Sequence, residues 1–88
     1  MSYFISYDLS NPGQNYDDLI DAIKKYGTYC KINKSDWIIC TEDKAKTIRD
    51  NLKKYLDSND RLFVGKLSGE GAWSGYQEST TDWLKKNL

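Results

Sequence analysis

Residues 28–40 have the sequence TYCKINKSDWIIC, and this stretch decides the fold. Two short runs rich in β-branched and aromatic residues, 28–32 and 37–40, lie on either side of the polar segment NKSD at 33–36. This pattern predicts a β-hairpin. Cys30 and Cys40 fall on its two strands, and we expect reduced thiols, with a cross-strand disulfide as the alternative.

One helical pattern precedes the hairpin and another follows it. The first has Asn15 as its predicted N-cap and ends at Gly27. Its apolar positions recur every three or four residues and are Tyr16, Leu19, Ile20, Ile23 and Tyr26. The second has Thr41 as its predicted N-cap and the same spacing. Its apolar stripe comprises Ala45, Ile48, Leu52, Tyr55 and Leu56.

A further strand is predicted at each end of this unit. Residues 3–9 alternate between apolar and more polar positions and stop at the turn signal NPG at 11–13, and 61–67 form another apolar run. The order strand, helix, strand, strand, helix, strand predicts an α+β, ferredoxin-like βαββαβ fold. In this fold a four-stranded antiparallel sheet carries two helices on one face. We expect the other face to be solvated, to bind a ligand or to be buried by a second subunit.

The chain 1–88 is predicted to be a single ferredoxin-like domain. Its last part, 68–88, combines a loop rich in glycine and containing tryptophan with a short C-terminal helix capped by Ser79 or Thr80.

Composition excludes several classes of protein. The 88 residues include 13 Lys and Arg, 13 Asp and Glu and no His, so the formal net charge is zero. Histidine-based catalysis and the usual histidine metal sites are therefore excluded, and two cysteines cannot build a four-thiolate zinc site. Zero net charge argues against a surface that grips a long nucleic-acid backbone. No stretch approaches the roughly 18 apolar residues of a membrane span, so we expect a cytoplasmic protein without a membrane partner.

Asp8 is the candidate catalytic and metal-binding residue, because it ends the first strand just before a turn. A single carboxylate holds Mg²⁺ or Mn²⁺ poorly, since such ions need several oxygen ligands. A two-fold homodimer would bring two copies of Asp8 together. The alternative is that Asp8 caps the turn at 11–13.

The candidate ligand-binding residues fall into two groups. In the loop 69–76, glycines let backbone amides approach an anion, and aromatic rings can stack on a base. The alternative is that the loop is a structural turn in which Trp73 fills the edge of the core. The candidates in this loop are Gly69, Gly71, Trp73, Ser74 and Tyr76. The others are Tyr7, which precedes Asp8, and the two arginines of the chain, Arg49 and Arg61. Arginine is favoured for bidentate phosphate contacts.

Four stretches carry a family resemblance: SYDL at 6–9, IRDNL at 48–52, LDSNDRL at 56–62 and AWSG at 72–75. With the element order, they make the chain similar to the small bacterial and phage proteins called SinR-like. These are related to the CRISPR-associated ferredoxin-like family, which includes the small dimeric subunit of the spacer-integration complex, and to the virulence-associated protein D toxins. The resemblance implies a homodimer. In the nuclease members, the aspartate that matches Asp8 is the proposed metal-binding residue at the dimer interface, so the resemblance implies Asp8 as the candidate in this chain. The neutral charge departs from the basic surfaces of members that handle nucleic acids.

Three hypotheses of function follow. The first is a small homodimer, non-catalytic and without a cofactor, that binds a short nucleic acid or a nucleotide, for example a nucleotide signal that it sequesters. Such a ligand needs only a local positive pocket. The second is an endonuclease that uses Asp8 paired across a homodimer with Mg²⁺ or Mn²⁺. The third is a protein–protein interaction module that docks a partner on the exposed sheet or its edge strand.

Overall fold

The structure, a computed structural model, describes residues 1–11 and 16–88. The described residues form four strands and three helices. They are β1 (Ser2–Asp8), α1 (Asp17–Lys24), β2 (Thr28–Asn33), β3 (Asp36–Cys40), α2 (Ala45–Lys53), β4 (Arg61–Lys66) and α3 (Glu78–Asn87). The predicted turn residues Pro12 and Gly13 and the predicted N-cap Asn15 lie outside this part of the chain. None of the three helices is long and apolar enough to cross a membrane.

The strands form one antiparallel sheet in the order β2-β3-β1-β4. β1 pairs with β3 on one side and with β4 on the other, so β2 and β4 are the edge strands. The predicted hairpin is present as β2 and β3, with an irregularity in the register between Lys31 and Asn33. Strand order and element order together are those of the ferredoxin-like fold, and the predicted fold class is confirmed.

The main hydrophobic core lies between one face of the sheet and the helices α1 and α2. Tyr3, Ile5 and Tyr7 of β1 are buried in it, because alternate side chains of a strand point to the same face. The helices contribute the buried positions of their predicted stripes, which include Leu19, Ile23, Ile48 and Leu52. Truncating one such leucine or isoleucine to alanine typically costs about 2–5 kcal/mol.

One half of the opposite face of the sheet is covered by α3. The thiol of Cys40 donates to the carbonyl of Asn87 at 3.8 Å, and a hydrogen bond joins Thr80 to Cys30. Two further hydrophobic residues are buried although they lie outside the main core, Ile38 of β3 and Leu84 of α3. The chain therefore covers this face over β2 and β3 by itself, which corrects the expectation that the whole face is left for solvent, a ligand or a second subunit.

The two cysteines beneath α3 are free thiols in this structure. Cys30 faces Ile38 in the β2–β3 register while Cys40 faces Thr28, so the cysteines are diagonal neighbours. Burial raises the pKa of the Cys30 thiol, which keeps it protonated and poorly reactive.

Two predicted helix starts are wrong. The backbone N–H of Thr41 donates to the carbonyl of Met1 at 2.9 Å, which continues the ladder between β3 and β1 and keeps Thr41 out of the helix. Its hydroxyl instead accepts from the N–H of Asp43 at 3.2 Å in a local turn. α2 begins four residues later, at Ala45. α3 begins at Glu78, before the predicted caps Ser79 and Thr80, which lie inside its first turn.

Candidate functional site

A groove of about 330 Å³ runs between α2 and the edge strand β4. We call it the α2–β4 groove, and its lining residues are Ala45, Lys46, Arg49, Leu62, Phe63 and Val64. Both charged residues among them are cations. The apolar residues all come from β4 and from the first turn of α2. The groove therefore offers positive charge on one wall and an apolar surface on the other.

The position of the cations follows from the amphipathic pattern of α2. Ile48 and Leu52 are fully buried against the sheet, so residues at the flank of this stripe come to lie beside β4. Lys46 and Arg49 occupy that flank, and Lys53 continues it at the next four-residue step. These three residues form a basic stripe along the helix, which we call the α2 stripe.

Arg49, predicted from the sequence as a ligand-binding residue, is engaged in an exposed ion pair. Its Nε and Nη2 atoms donate to Oδ1 of Asp50 at 3.0 and 2.8 Å. An exposed pair of this kind contributes only about 0–1 kcal/mol to stability. The guanidinium can therefore exchange this partner for a phosphate at little cost.

Phe63 supplies an aromatic surface on the other side of the same edge strand, and it was not among the residues predicted from the sequence. The residue is 61% exposed, an unusual state for phenylalanine. Its ring lies beside Phe4 with the ring centroids 6.4 Å apart. The alternation of side chains along β4 predicts this exposure, because Phe63 points away from the face on which Leu62 and Val64 pack against the core.

The α2–β4 groove continues toward the end of α2 and becomes acidic there. Arg49 and Leu62 also line this second part, of about 360 Å³, together with Lys53, Asp57 and Asp60. The positive stretch is therefore short and is bounded by carboxylates at one end.

Asp60 ties three segments together at this end of the domain. Its carboxylate accepts hydrogen bonds from the N–H and hydroxyl of Ser10 at 2.8 and 3.0 Å and from the N–H of Asp57 at 2.8 Å. The Tyr16 hydroxyl donates to it at 3.2 Å. The hydrogen bonds from the backbone N–H groups of Ser10 and Asp57 lower its pKa. Asp60 thereby joins the end of β1, the start of α1 and the segment before β4.

The other predicted ligand residues do not join Arg49 in the α2–β4 groove. Tyr7 is buried, and its hydroxyl accepts a hydrogen bond from the indole Nε1 of Trp37 at 3.1 Å, so it belongs to the core. Arg61 is exposed on β4, directly opposite Asp8 of β1. The predicted ligand set is therefore divided between the core, the strand ends and the loop after β4.

In that loop, both aromatic residues hold the chain in place. Trp73 donates from Nε1 to Thr81 of α3 at 3.2 Å, and Tyr76 donates from its hydroxyl to Asn33 Oδ1 at 3.1 Å. A Cβ on Gly71 would lie 3.2 Å from Leu88, so this glycine permits close packing on the C-terminus. The other two candidates of the loop, Gly69 and Ser74, are exposed. These contacts match the structural alternative for the loop, with α3 and the hairpin as its anchors.

Asp8, the predicted metal ligand, is exposed at the end of β1. Within residues 1–11 and 16–88, no group of three or more His, Cys, Asp or Glu side chains is placed to hold a metal ion. A metal centre built on Asp8 therefore needs ligands from beyond this set, such as a second copy of the chain. That pairing stays a prediction.

A second groove, of about 220 Å³, lies between α1 and α2. Its lining residues are Ala22, Lys25, Tyr26, Asp43, Asn51 and Tyr55. It contains one cation and one anion, and burial raises the pKa of Tyr26. Asp43 makes this groove less suited to a phosphate than the α2–β4 groove. The neighbouring depression adds two further carboxylates, Asp18 and Asp21.

No model of a known protein family matches the chain. The fold and the geometry of the site are therefore the basis for an assignment of function.

Proposed function

We propose that the chain binds a nucleotide or a short nucleic acid, without catalysis, in the α2–β4 groove. One observation carries the proposal: the edge strand β4 has Lys46 and Arg49 on one side, in a groove with no carboxylate among its described lining residues, and the exposed ring of Phe63 on the other side. A nucleotide that reaches across the edge of β4 would place its phosphate on the two cations and its base on the ring.

Both kinds of contact contribute favourably to binding. Stacking of a base on an aromatic side chain contributes about 1–3 kcal/mol. Charge-assisted hydrogen bonds from arginine or lysine to phosphate are about twice as strong as neutral ones. The zero net charge of the chain is compatible with this site, because the positive stretch is local.

The short length of the positive stretch favours a small ligand over a long polymer. Asp57 and Asp60 line the groove beyond Lys53 and oppose further phosphates there. A nucleotide signal that the protein sequesters is consistent with this geometry. The homodimer and the Asp8-dependent nuclease implied by the family resemblance stay predictions.

Isothermal titration calorimetry tests the proposal, with AMP, a cyclic dinucleotide and the hexanucleotides dT6 and rA6 as ligands. We expect Phe63→Ala to weaken binding by about 5- to 150-fold, which corresponds to the stacking energy. Arg49→Ala should weaken it as well. Lys54→Ala is the matched control, because Lys54 follows the α2 stripe but lies over the ring of Tyr55. Absence of binding by all four ligands would overturn the proposal, and so would equal binding by the wild type and Phe63→Ala.

A further inference from the structure

The free edge of β4 presents a regular row of backbone groups. The N–H of Leu67 donates to the carbonyl of Ser2 at 2.9 Å, which fixes the phase of the hydrogen-bond ladder between β4 and β1. In an antiparallel pair, residues alternate between those bonded to the neighbour strand and those whose N–H and C=O point away from it. Counting back from Leu67, the backbone groups of Leu62, Val64 and Lys66 therefore point outward.

Between its charged end residues, Arg61 and Lys66, this edge lacks the devices that usually protect an edge strand. Natural sheets block their edges with bulges, prolines or charges. The other edge strand, β2, has a register irregularity and carries Lys31. β4 has an unbroken register over six residue pairs and no proline, and residues 62–65 are uncharged. It is therefore the part of the described sheet most open to an added strand.

Two different surfaces flank the free edge. On the face of the core lie Lys46 and Arg49 of the α2 stripe, and on the opposite face lies the exposed ring of Phe63. A strand added beside β4 would direct alternate side chains toward each of these surfaces. Acidic residues match the first surface and apolar residues match the second.

The charges disfavour a second copy of this chain as the added strand. Pairing of two β4 edges about a two-fold axis would put both α2 helices on the same side of the joined sheet. The α2 stripes would then face each other, with Lys46, Arg49 and Lys53 opposite the same cations. Such like-charge juxtaposition opposes association.

We propose that an extended segment of another protein, with acidic and apolar residues in alternation, adds to β4 as a fifth strand. Main-chain hydrogen bonds to Leu62, Val64 and Lys66 provide affinity in this mode, and the flanking side chains provide specificity. The inference differs from nucleotide binding in its use of the outward backbone groups of β4, while both ligands would contact the side chains of Lys46, Arg49 and Phe63.

Fluorescence anisotropy with a labelled peptide of sequence EVEFEVE tests this docking mode. The matched control KVKFKVK has the same apolar pattern and the opposite charge, and it should bind at least about tenfold more weakly, as like charges repel. Two N-methylated forms of EVEFEVE, one blocked at every acidic residue and one at every apolar residue, test the backbone contacts. One form should lose at least about tenfold in affinity, because up to three hydrogen bonds disappear, and the other should bind like the parent.

The N-methylated pair also reports the direction of the added strand. If the peptide pairs antiparallel to β4, the peptide residues that hydrogen-bond to Val64 lie on the same face as Val64 and are the acidic ones. If the peptide pairs parallel to β4, they lie on the other face and are the apolar ones.

Val64→Pro removes the outward N–H of residue 64, while the N–H groups that bond to β1 remain. Val64→Ala is the control, because alanine retains the outward N–H. Peptide binding should be lost in Val64→Pro and kept in Val64→Ala.

Three results would overturn the inference. They are equal binding of both N-methylated forms and the parent, equal binding of KVKFKVK and EVEFEVE, and no binding of EVEFEVE. A chain that dimerises by itself, and loses its dimer in Val64→Pro, would contradict the choice of an acidic partner over a second copy. Nucleotide binding is measured separately on the wild-type chain, so a failure of the peptide to bind leaves the proposed function intact.

Discussion

The ring of Phe63 occupies the space above Gly65. Its Cε2 atom lies only 2.8 Å from the position that a Cβ on residue 65 would take. Glycine at this position therefore allows the ring to lie over the strand beside Phe4, where it is exposed to a ligand. The aromatic surface of the proposed site depends on the absence of a side chain two residues away.

Gly65→Ala is predicted to weaken nucleotide binding. The added methyl group displaces the Phe63 ring, which removes part of a stacking contact of about 1–3 kcal/mol. We expect a loss of affinity by calorimetry and a thermal midpoint close to that of the wild type, because alanine is tolerated in an edge strand. Phe63→Leu is the companion variant, since it keeps an apolar residue without a ring. Wild-type affinity in both variants would show that the ring does not bind the base.

Tyr7→Phe is predicted to lower stability without affecting nucleotide affinity. The variant removes the hydroxyl that accepts from Trp37 Nε1, and Trp37 is only 2% exposed. A buried donor left without a partner costs about 1–3 kcal/mol. Urea denaturation measures this change in the free energy of unfolding. If Tyr7→Phe changes nucleotide affinity under conditions where the variant is fully folded, Tyr7 is a ligand-binding residue after all.

The Asp60 carboxylate is predicted to make stability depend on acid pH. Hydrogen bonds from Ser10 and Asp57 lower its pKa in the folded state from the ordinary value of 3.8. A carboxyl group with a lowered folded pKa stabilises the fold at pH values above its unfolded pKa, and this contribution is lost as the pH falls through the folded pKa.

Urea denaturation of Asp60→Asn between pH 7 and pH 3 tests this sign. The variant should be less stable than the wild type at neutral pH, and the difference should shrink as the pH is lowered. Asp57→Asn is the control, because Asp57 contributes its backbone N–H to Asp60 and asparagine retains that group. A difference that grows toward acid pH would contradict the role of the ionised carboxylate.

Trp73→Ala is predicted to loosen α3 and to leave nucleotide affinity unchanged. The indole anchors the loop after β4 to Thr81, in the first half of the helix. Hydrogen exchange should therefore become faster for amides of α3, while those of β1 keep their protection. Weaker nucleotide binding with unchanged exchange in α3 would support the loop as the binding site instead.

The sequence predicted the sheet and its two core helices well, because their signals are local. The hairpin at 28–40 and the apolar stripes of α1 and α2 depend on residues close together in the chain. The site of α3 on the sheet could not be predicted in this way. Its contacts join residues far apart, such as Cys40 and Asn87, and no periodic pattern specifies such a pair.

The candidate site was predicted only in part, for a related reason. Arg49 was identified from its residue type, whereas Phe63 has an apolar side chain and matches a core strand equally well. Its exposure depends on β4 being an edge strand and on α3 covering the other half of the sheet. The loop aromatics Trp73 and Tyr76 had the composition of a ligand site, but their polar atoms are used in contacts within the chain.

Backbone amide shifts during a nucleotide titration, followed by ¹⁵N-resolved NMR, test the central claim most directly. Addition of AMP or a cyclic dinucleotide to the intact chain should shift the amides of 45–49 and 62–65 in one saturable transition, and Arg49→Ala should weaken that transition. Shifts confined to 69–76, or no shifts at millimolar ligand, would contradict binding in the α2–β4 groove.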